Sequence, residues 1–359
     1  MVYKSQLSSY IRSTMNDLSG TLIKSLIVHQ AGNAAQGGAL ILSEKEQDLF
    51  HEYWQQTLVN FFLKPFNEVE QYRLDTEQNL LYTIAAGLFE DKSQFLAASK
   101  QAAEHFHFKS SSVFAKSGEL YFVYFEQVPF DGGFTDAIGL FHTTTKESFL
   151  KINAKPAGIN FSIEEGIDLK KPEKGVILLR KDQNEGFLAL IHESTASKQG
   201  DADFWKKTFL KAQPITNSYH HTNEALGLCK LFISNELQEQ FDTNKTDQID
   251  MLQRSMNYFK THDQFQLGEF NKEVLHHPEV IDSFTQYKQQ YEVAKQVQIN
   301  DEFDINPAAI QKQQRLFKSI LKLDKNFHVY VHGRRDLIEK GYDETTGKHY
   351  YKLYFDEEK

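Results

Sequence analysis

The residues best suited to bind a ligand are basic side chains near the C-terminus. Between Asn306 and Phe355 the chain has ten Lys or Arg against five Asp or Glu, a net charge of +5, whereas the whole chain carries −9. Lysine binds phosphate oxygens as a point charge, and arginine binds them through a bidentate pair of N–H groups. The sequence therefore predicts a phosphate-binding surface made of Lys312, Arg315, Lys318, Lys322, Lys325, Arg334, Arg335 and Lys348.

A single helix is predicted to present half of these cations. Asn306 is a favourable N-cap, and Pro307 suits the first helical position. At 100° per residue, the apolar side chains between residues 310 and 323 fall on one half of the helical wheel. The other half carries Lys312, Arg315, Lys318 and Lys322. Most charge runs are merely solvated surface, but four cations on one arc with no intervening carboxylate favour polyanion binding.

Beyond Asp324 the hydrophobic period becomes that of a strand. The alternation over residues 327–331 predicts a strand, followed by an irregular connection that carries Arg334 and Arg335. Gly347 predicts a turn, and residues 350–355 predict a returning aromatic strand. Aromatic side chains here would suit stacking on unpaired bases. Because alternating aromatics more often pack one face of a strand, we expect them to support the basic surface instead.

Length and patterning predict an α+β protein of two domains, residues 1–195 and 203–359. In the first domain we expect a strand at 21–30, a helix that begins at the capping box Ser43-x-x-Glu46 and ends at Pro65, and helices at 79–89 and 92–107. Six strand-like runs follow between residues 118 and 193, and their lack of intervening helices predicts an antiparallel meander. The second domain is predicted to be mainly helical, closing with the basic helix and a β-hairpin.

No motif predicts catalysis, a cofactor or a metal site. The glycine-rich segment 32–38 lacks the Lys and Ser/Thr of a phosphate loop and predicts a hairpin link. The histidine pairs do not have the spacing of metal ligands, and Cys229, the only cysteine, lies in an apolar helical run that favours a buried thiol. No apolar run is long enough to span a membrane, and the N-terminus has no apolar signal core, so we expect a cytoplasmic protein.

Several segments of the chain have an order and spacing that together are specific, although each consists of ordinary residues. They are LIVHQAGN, FFLKPF, SVFAKSGELYFVYF, AIGLFHTTTKESFL, DFWKKTFL, HHTNEALGL, SILKLDKNFHVYVHG and GYDETTGKHYYKLYF. Taken in this order, they resemble the bacterial nucleoid-associated protein family of about 37 kDa, also called NdpA. The resemblance implies a cytoplasmic protein that associates with the bacterial chromosome and binds DNA, with no known catalytic centre or cofactor.

The leading hypothesis is therefore a non-enzymatic protein that contacts DNA phosphates largely independently of sequence. A homodimer would align two basic surfaces on DNA, although the sequence leaves its symmetry open. Outside the basic segment the charge sums to −14, because the whole chain carries −9. This acidic remainder supports an alternative, an adaptor that a nucleoid or DNA-processing protein recruits. A third hypothesis is an enzyme that holds a phosphate-containing substrate with the basic cluster.

Overall fold

The protein, described here by a computed structural model, divides into two compact units between Ile215 and Thr216. The structure describes residues 17–49, 52–66, 70–110, 116–156, 158–194, 203–241, 243, 245–295, 297–314, 317, 319–323, 325, 327–331 and 337–357. The sequence predicts a second domain that begins at residue 203. In the structure, residues 204–210 instead contribute Phe204, Trp205, Phe209 and Leu210 to the core of the first unit.

The first unit is built on an antiparallel sheet of eight described strands in the order β10-β3-β9-β8-β5-β4-β1-β2. The six predicted runs between residues 118 and 193 are confirmed as strands. Two of them, β6 and β7, leave the sheet and pair only with each other, so β5 pairs directly with β8. The bounds are β1 Leu22–Ala31, β2 Leu40–Ile41, β3 Gln71–Leu74, β4 Gly118–Phe130, β5 Gly133–Thr143, β6 Glu147–Lys155, β7 Gly158–Gly166, β8 Lys174–Leu179, β9 Leu188–Glu193 and β10 Ala212–Pro214.

Both faces of this sheet are buried, which explains why β4 is apolar almost throughout. Successive side chains of a strand point to opposite faces. Phe122 and Tyr124 accordingly join the cluster under α2 (Leu80–Glu90) and α3 (Phe95–Lys109), as does Trp205. Val123 and Phe125 join the opposite cluster, under α1 (Glu52–Leu63) and the 3-10 turn Lys64–Phe66. The unit is therefore a three-layer arrangement with one sheet between two helical layers.

The predicted capping box at Ser43 is wrong. Among the described residues α1 begins at Glu52, and Ser43 is used in the sheet region instead. The backbone N–H of Ser43 donates to Nδ1 of His29 at 3.1 Å, and its hydroxyl donates to the carbonyl of Val28. Residues 43–49 are not helical, and the bonds of Ser43 tie this segment to β1, so a tertiary contact replaces the predicted cap.

The second unit is mainly helical, as predicted, around a core that includes Phe232, Phe270 and Phe284. A short ladder pairs β11 (Gln264–Gln266) with β12 (Glu302–Asp304). The helices are α4 Ser218–Leu231, α5 Leu237–Gln240, α6 Lys245–Thr261, α7 Leu267–Phe270, α8 Pro278–Lys295 and α9 Pro307–Gln314, with π-helical turns at Phe232–Glu236 and Asn271–Leu275. The chain then continues into two hairpins, β13–β14 (Ser319–Leu323 and Phe327–Val331) and β15–β16 (Ile338–Asp343 and Lys348–Leu353).

Candidate nucleic-acid interface

Helix α9 begins as the sequence predicted and is fixed against α4. The Asn306 side chain accepts from the backbone N–H of Ala308 at 3.0 Å, which is an N-cap hydrogen bond. The backbone N–H of Asn306 donates to the Thr222 hydroxyl on α4 at 2.9 Å. The Gln313 amide donates to Oδ1 of Asn223 at 2.6 Å. These bonds hold both ends of the short helix on the helical core.

Lys312 is the predicted phosphate ligand that α9 carries. It is exposed, and its Nζ lies 5.7 Å from the centroid of the Tyr219 ring on α4. A cation over an aromatic face is attracted by the ring quadrupole. The contact limits the directions in which the ammonium group can point, so Lys312 is a positioned cation near the C-terminal end of the helix.

The predicted continuous basic helix is wrong from Ser319 onward, because residues 319–323 form strand β13. A short apolar run such as Ser319–Leu323 fits both a helix face and a strand, and its period alone cannot decide between them. The deciding signal is the next segment, the strand-like run Phe327–Val331, which pairs with β13 throughout. The four cations of the predicted helical arc therefore do not share one helix.

Hairpin β13–β14 has one packed face and one open face. Val331 is buried against Ile249 of α6, and Leu323 and Val329 pack on the same cluster. Tyr330, on the opposite face, is 58% exposed. Lys322 stands opposite the exposed His328 in the register, and Lys325 is exposed in the connecting turn. The hairpin is thus anchored to the helical core through its apolar face.

The second hairpin, β15–β16, corrects another prediction. The aromatic strand near the C-terminus pairs with Ile338–Asp343 and not with Phe327–Val331, so the segment forms two hairpins. The ring of Tyr350 lies over Gly341, where a Cβ would come within 2.2 Å of the tyrosine Cζ. Gly347, in the predicted turn, has a φ of 65° that suits glycine.

The positive and negative side chains of β15–β16 balance one another. Lys352 lies 3.3 Å from Glu339, which also accepts a hydrogen bond from the Tyr354 hydroxyl at 2.9 Å. These two contacts hold the pKa of Glu339 below its usual value. The turn residue Asp343 accepts from the backbone N–H of Thr345 at 2.9 Å. Between residues 338 and 353 there are three lysines and three carboxylates, so this hairpin has no net charge.

The positive charge is therefore concentrated before β15. From residue 312 to residue 335 there are seven Lys or Arg and a single acidic residue, Asp324. Of the predicted ligands, Lys312, Lys325 and Lys348 are exposed, and Lys348 stands opposite Asp343 on the neutral hairpin. The position of Lys322 on β13 is given by its pairing with His328 of β14. The remaining predicted ligands, Arg315, Lys318, Arg334 and Arg335, lie outside the described residues.

The two hairpins also expose aromatic side chains that the sequence analysis assigned to packing. Tyr351 does pack on the cluster around Ile249. The larger part of the set faces solvent: Phe327 is 62% exposed, Tyr330 58%, Tyr342 55%, Tyr354 49% and Phe355 70%. Of these, Tyr330 lies on the face of β14 opposite to Val329 and Val331, so alternation was the available signal for it, whereas Tyr354 and Phe355 follow the end of β16. Exposed aromatic rings beside cations are the combination that binds unpaired bases.

Two candidate reactive features prove to be structural. The glycine-rich connection 32–38 is a hairpin link, as predicted: Gly32 and Gly38 lie so close that a Cβ on Gly32 would come within 2.5 Å of the Gly38 carbonyl carbon. Cys229 is buried in α4, and burial raises the pKa of its thiol well above the usual value. A thiol that stays protonated is a poor nucleophile.

Together these features define a class of protein: a two-unit α+β protein with an antiparallel sheet between helical layers in its first unit and a C-terminal pair of hairpins, the first of which lies within a basic segment. The family model described as "Nucleoid-associated protein YejK" matches residues 27–349, and the chain belongs to this family of nucleoid-associated proteins. The match extends through both units and confirms the resemblance seen in the sequence. The chain has no match among the curated proteins. Within the ranges that the structure describes, no helix is long and apolar enough to cross a membrane.

Proposed function

We propose that this protein binds DNA through its C-terminal basic segment, contacting phosphates largely independently of base sequence. The contacts are Lys312, Lys322 and Lys325 with Arg315, Lys318, Arg334 and Arg335, while Lys348 on the neutral hairpin is peripheral. The proposal includes a cytoplasmic location at the nucleoid and no catalytic activity. The observation that carries it is the excess of seven cations over one carboxylate between residues 312 and 335, in a chain of net charge −9 that belongs to a nucleoid-associated family.

The arrangement of the described cations supports phosphate contacts more than base readout. Lys312 is near the end of a short helix, Lys322 is on a strand and Lys325 is in a turn. Base readout in the major groove usually relies on several side chains projecting from one helix or one two-stranded ribbon. Only Lys322 and Lys325 share one such ribbon, hairpin β13–β14, and Lys312 lies on a separate helix. Lysines spread in this way suit the DNA backbone, whose charge repeats regardless of sequence.

The acidic remainder of the chain determines how DNA approaches. Residues outside 306–355 sum to −14, so most of the surface repels a polyanion while the basic segment attracts it. If four to six phosphates are contacted, the log–log salt slope on duplex DNA is about −3.5 to −5.5. Such a slope lowers the affinity by roughly 100-fold to 2,000-fold between about 50 and 200 mM salt.

The test is fluorescence anisotropy of labelled duplexes of unrelated sequence, titrated with the purified full chain at several salt concentrations. We expect similar affinities for all duplexes. Replacing Lys312, Lys322 and Lys325 together by Gln should make the salt slope shallower by about 2.7, because each lost phosphate contact removes about 0.9.

The matched control replaces the exposed lysines Lys24, Lys170 and Lys207 of the first unit by Gln, which changes the net charge by the same amount. We expect the control to retain the wild-type slope. If both triple variants weaken binding equally, the effect is one of total charge and the proposed site is wrong.

A second candidate function is that of an adaptor recruited by another nucleoid or DNA-processing protein. The observation that favours it is the charge of −14 outside residues 306–355, which suits a basic protein partner. An adaptor of this kind would leave the duplexes unbound at physiological salt and would co-purify with a protein partner. Tight, salt-dependent binding by the isolated chain would exclude it as the sole mode of attachment.

A further inference from the structure

The hairpin β6–β7 stands apart from the rest of the first unit. It is inserted between β5 and β8, which pair directly with each other in the main sheet. Each strand is nine residues long, and the two strands pair along their whole length from Glu147–Gly166 to Lys155–Gly158. An isolated two-stranded hairpin is marginally stable in water unless its apolar face is covered. The length of this one therefore calls for a packing partner.

The two faces of the hairpin differ sharply. Residues paired directly across an antiparallel ladder point to the same face. One face carries Lys151, Asn153 and Asn160 with a single large apolar side chain, Phe149, and Lys151 forms an ion pair with Glu164 at 3.2 Å. The other face is apolar over three consecutive cross-strand pairs, Leu150 with Ile163, Ile152 with Phe161 and Ala154 with Ile159, and becomes polar only at its base, where Ser148 pairs with Glu165.

The apolar face is open to solvent. The exposed fractions are 55% for Leu150, 57% for Ile152, 77% for Ile159, 67% for Phe161 and 71% for Ile163, so no described part of the chain covers them. Contiguous apolar surface of this kind is uncommon on a monomer and is typical of a protein interface. The opposite face, with its ion pair and amides, is suited to remain in water.

The geometry points to a second copy of this chain as the partner, with the two β6–β7 hairpins packed face to face by their apolar sides. A two-fold axis near the Ile152–Phe161 pair would place the bulky pair Leu150–Ile163 of one copy over the smaller pair Ala154–Ile159 of the other. The decrease in side-chain volume along one hairpin is then matched by the increase along its partner. Such self-complementarity is what an isologous interface requires.

The surface area is sufficient for this dimer. With a whole-residue surface of about 200 Å² for a large apolar side chain, the five side chains expose roughly 600 Å² per copy. Two hairpins face to face would bury on the order of 1,200 Å², the lower end of the range for specific interfaces. The facing sheets would be about 10 Å apart, as in a β-sandwich.

Charge argues against DNA as the occupant of this face. Phosphate binding needs cations beside the contact surface. From Leu150 to Ile163 the apolar face has none, and its base carries Glu165. The lysines of the hairpin, Lys151 and Lys155, belong to the opposite face. Burial of an apolar face without cations is more favourable against an identical apolar face than against the phosphate backbone of DNA.

The experiment measures the mass of the full chain in solution by sedimentation velocity across a concentration series. The test variant is Phe161→Glu with Ile163→Glu, which places like charges in the proposed interface. The matched control is Asn160→Glu with Ser162→Glu, which adds the same charge to the same strand on the polar face. Thermal unfolding of each variant checks that the fold is kept, since both exchanges are at solvent-accessible positions.

We expect a wild-type dimer, a dimeric control, and a test variant whose dissociation constant is raised at least 100-fold. A wild-type chain that stays monomeric up to about 100 μM would overturn the inference, because the dissociation constant of a specific dimer is well below this concentration. A test variant that remains dimeric would assign the dimer to another surface. A monomeric wild type whose DNA affinity falls only in the test variant would identify the hairpin as a DNA contact and likewise overturn it.

Discussion

His142 makes the stability of the first unit depend on pH. It lies on β5, 3% exposed, with its ring centroid 4.9 Å from that of Phe106 and 6.5 Å from that of Trp205. Among the described residues its Nε2 has no hydrogen-bond partner. Burial lowers the pKa of His142 to about 3, and the nearby positive charges of Lys174 and Lys116 act in the same direction.

The sign of the effect follows from this pKa. The folded state disfavours the charged imidazole, whereas the unfolded chain protonates it near the ordinary pKa of 6.5. The contribution of His142 to the free energy of unfolding is therefore fully present above pH 6.5, and it is lost as the pH falls from 6.5 towards 3. At about 1.4 kcal/mol per pH unit, lowering the pH from 7 to 5 should cost about 2 kcal/mol of unfolding free energy.

The assay is urea unfolding followed by tryptophan fluorescence, because Trp54 and Trp205 both lie in the first unit. The perturbation is His142→Phe, which keeps an aromatic ring beside Phe106 and removes the titrating group. We expect the loss of stability between pH 7 and pH 5 to be smaller by about 2 kcal/mol in this variant. His277→Gln, at an exposed position of the second unit, is the control and should leave the loss unchanged.

Part of the pH dependence should survive in the His142→Phe variant. Burial also lowers the pKa of His29 and of His105, and nearby lysines act in the same direction on both. The reasoning would be refuted if wild type and His142→Phe lost the same free energy over this pH range. It would also be refuted if the wild-type unfolding free energy did not fall between pH 7 and pH 5.

Three further perturbations test other parts of the structure. Asn79→Ala removes the cap of α2 and a 2.7 Å bond to the Leu210 carbonyl, so it should cost about 1–2 kcal/mol in urea unfolding; no change would mean that the cap is not formed. Gly341→Val would drive a Cβ into the Tyr350 ring and should increase proteolysis of the C-terminal hairpin, whereas Gly268→Val, where the Cβ meets open space, should not. Cys229 should resist thiol reagents until urea unfolds the second unit, and rapid labelling of the native chain would contradict its burial.

Most of the sheet of the first unit could be predicted because its long strands carry their own signal, whereas the short strands β3 and β10 were not predicted. β4 and β5 are long apolar runs separated by the turn Phe130-Asp131-Gly132-Gly133, and the turn residues fix a tight hairpin. The departure of β6 and β7 from the sheet could not be predicted in this way. Their alternation shows that one face is apolar, but it does not specify what that face packs against.

Two helix predictions, one in the first unit and one in the candidate site, are wrong for a common reason. Ser43-x-x-Glu46 and residues 306–323 both satisfy a local helix pattern, and in each the tertiary structure offers a better partner. Ser43 bonds to β1, and residues 319–323 pair with β14. Local propensity is a weak prior that such pairing overrides. The composition of the basic segment was predictable, whereas its distribution over a helix end, a strand and a turn depended on long-range contacts.

The central claim is that residues 312–335 attach this protein to DNA through phosphate contacts. The most direct measurement is the salt dependence of duplex binding by the purified chain and by the variant with Lys312, Lys322 and Lys325 replaced by Gln. The account predicts a log–log slope of about −3.5 to −5.5 for the wild type and a slope shallower by about 2.7 for the variant. An unchanged slope in the variant, or no binding by the wild type at physiological salt, would contradict it.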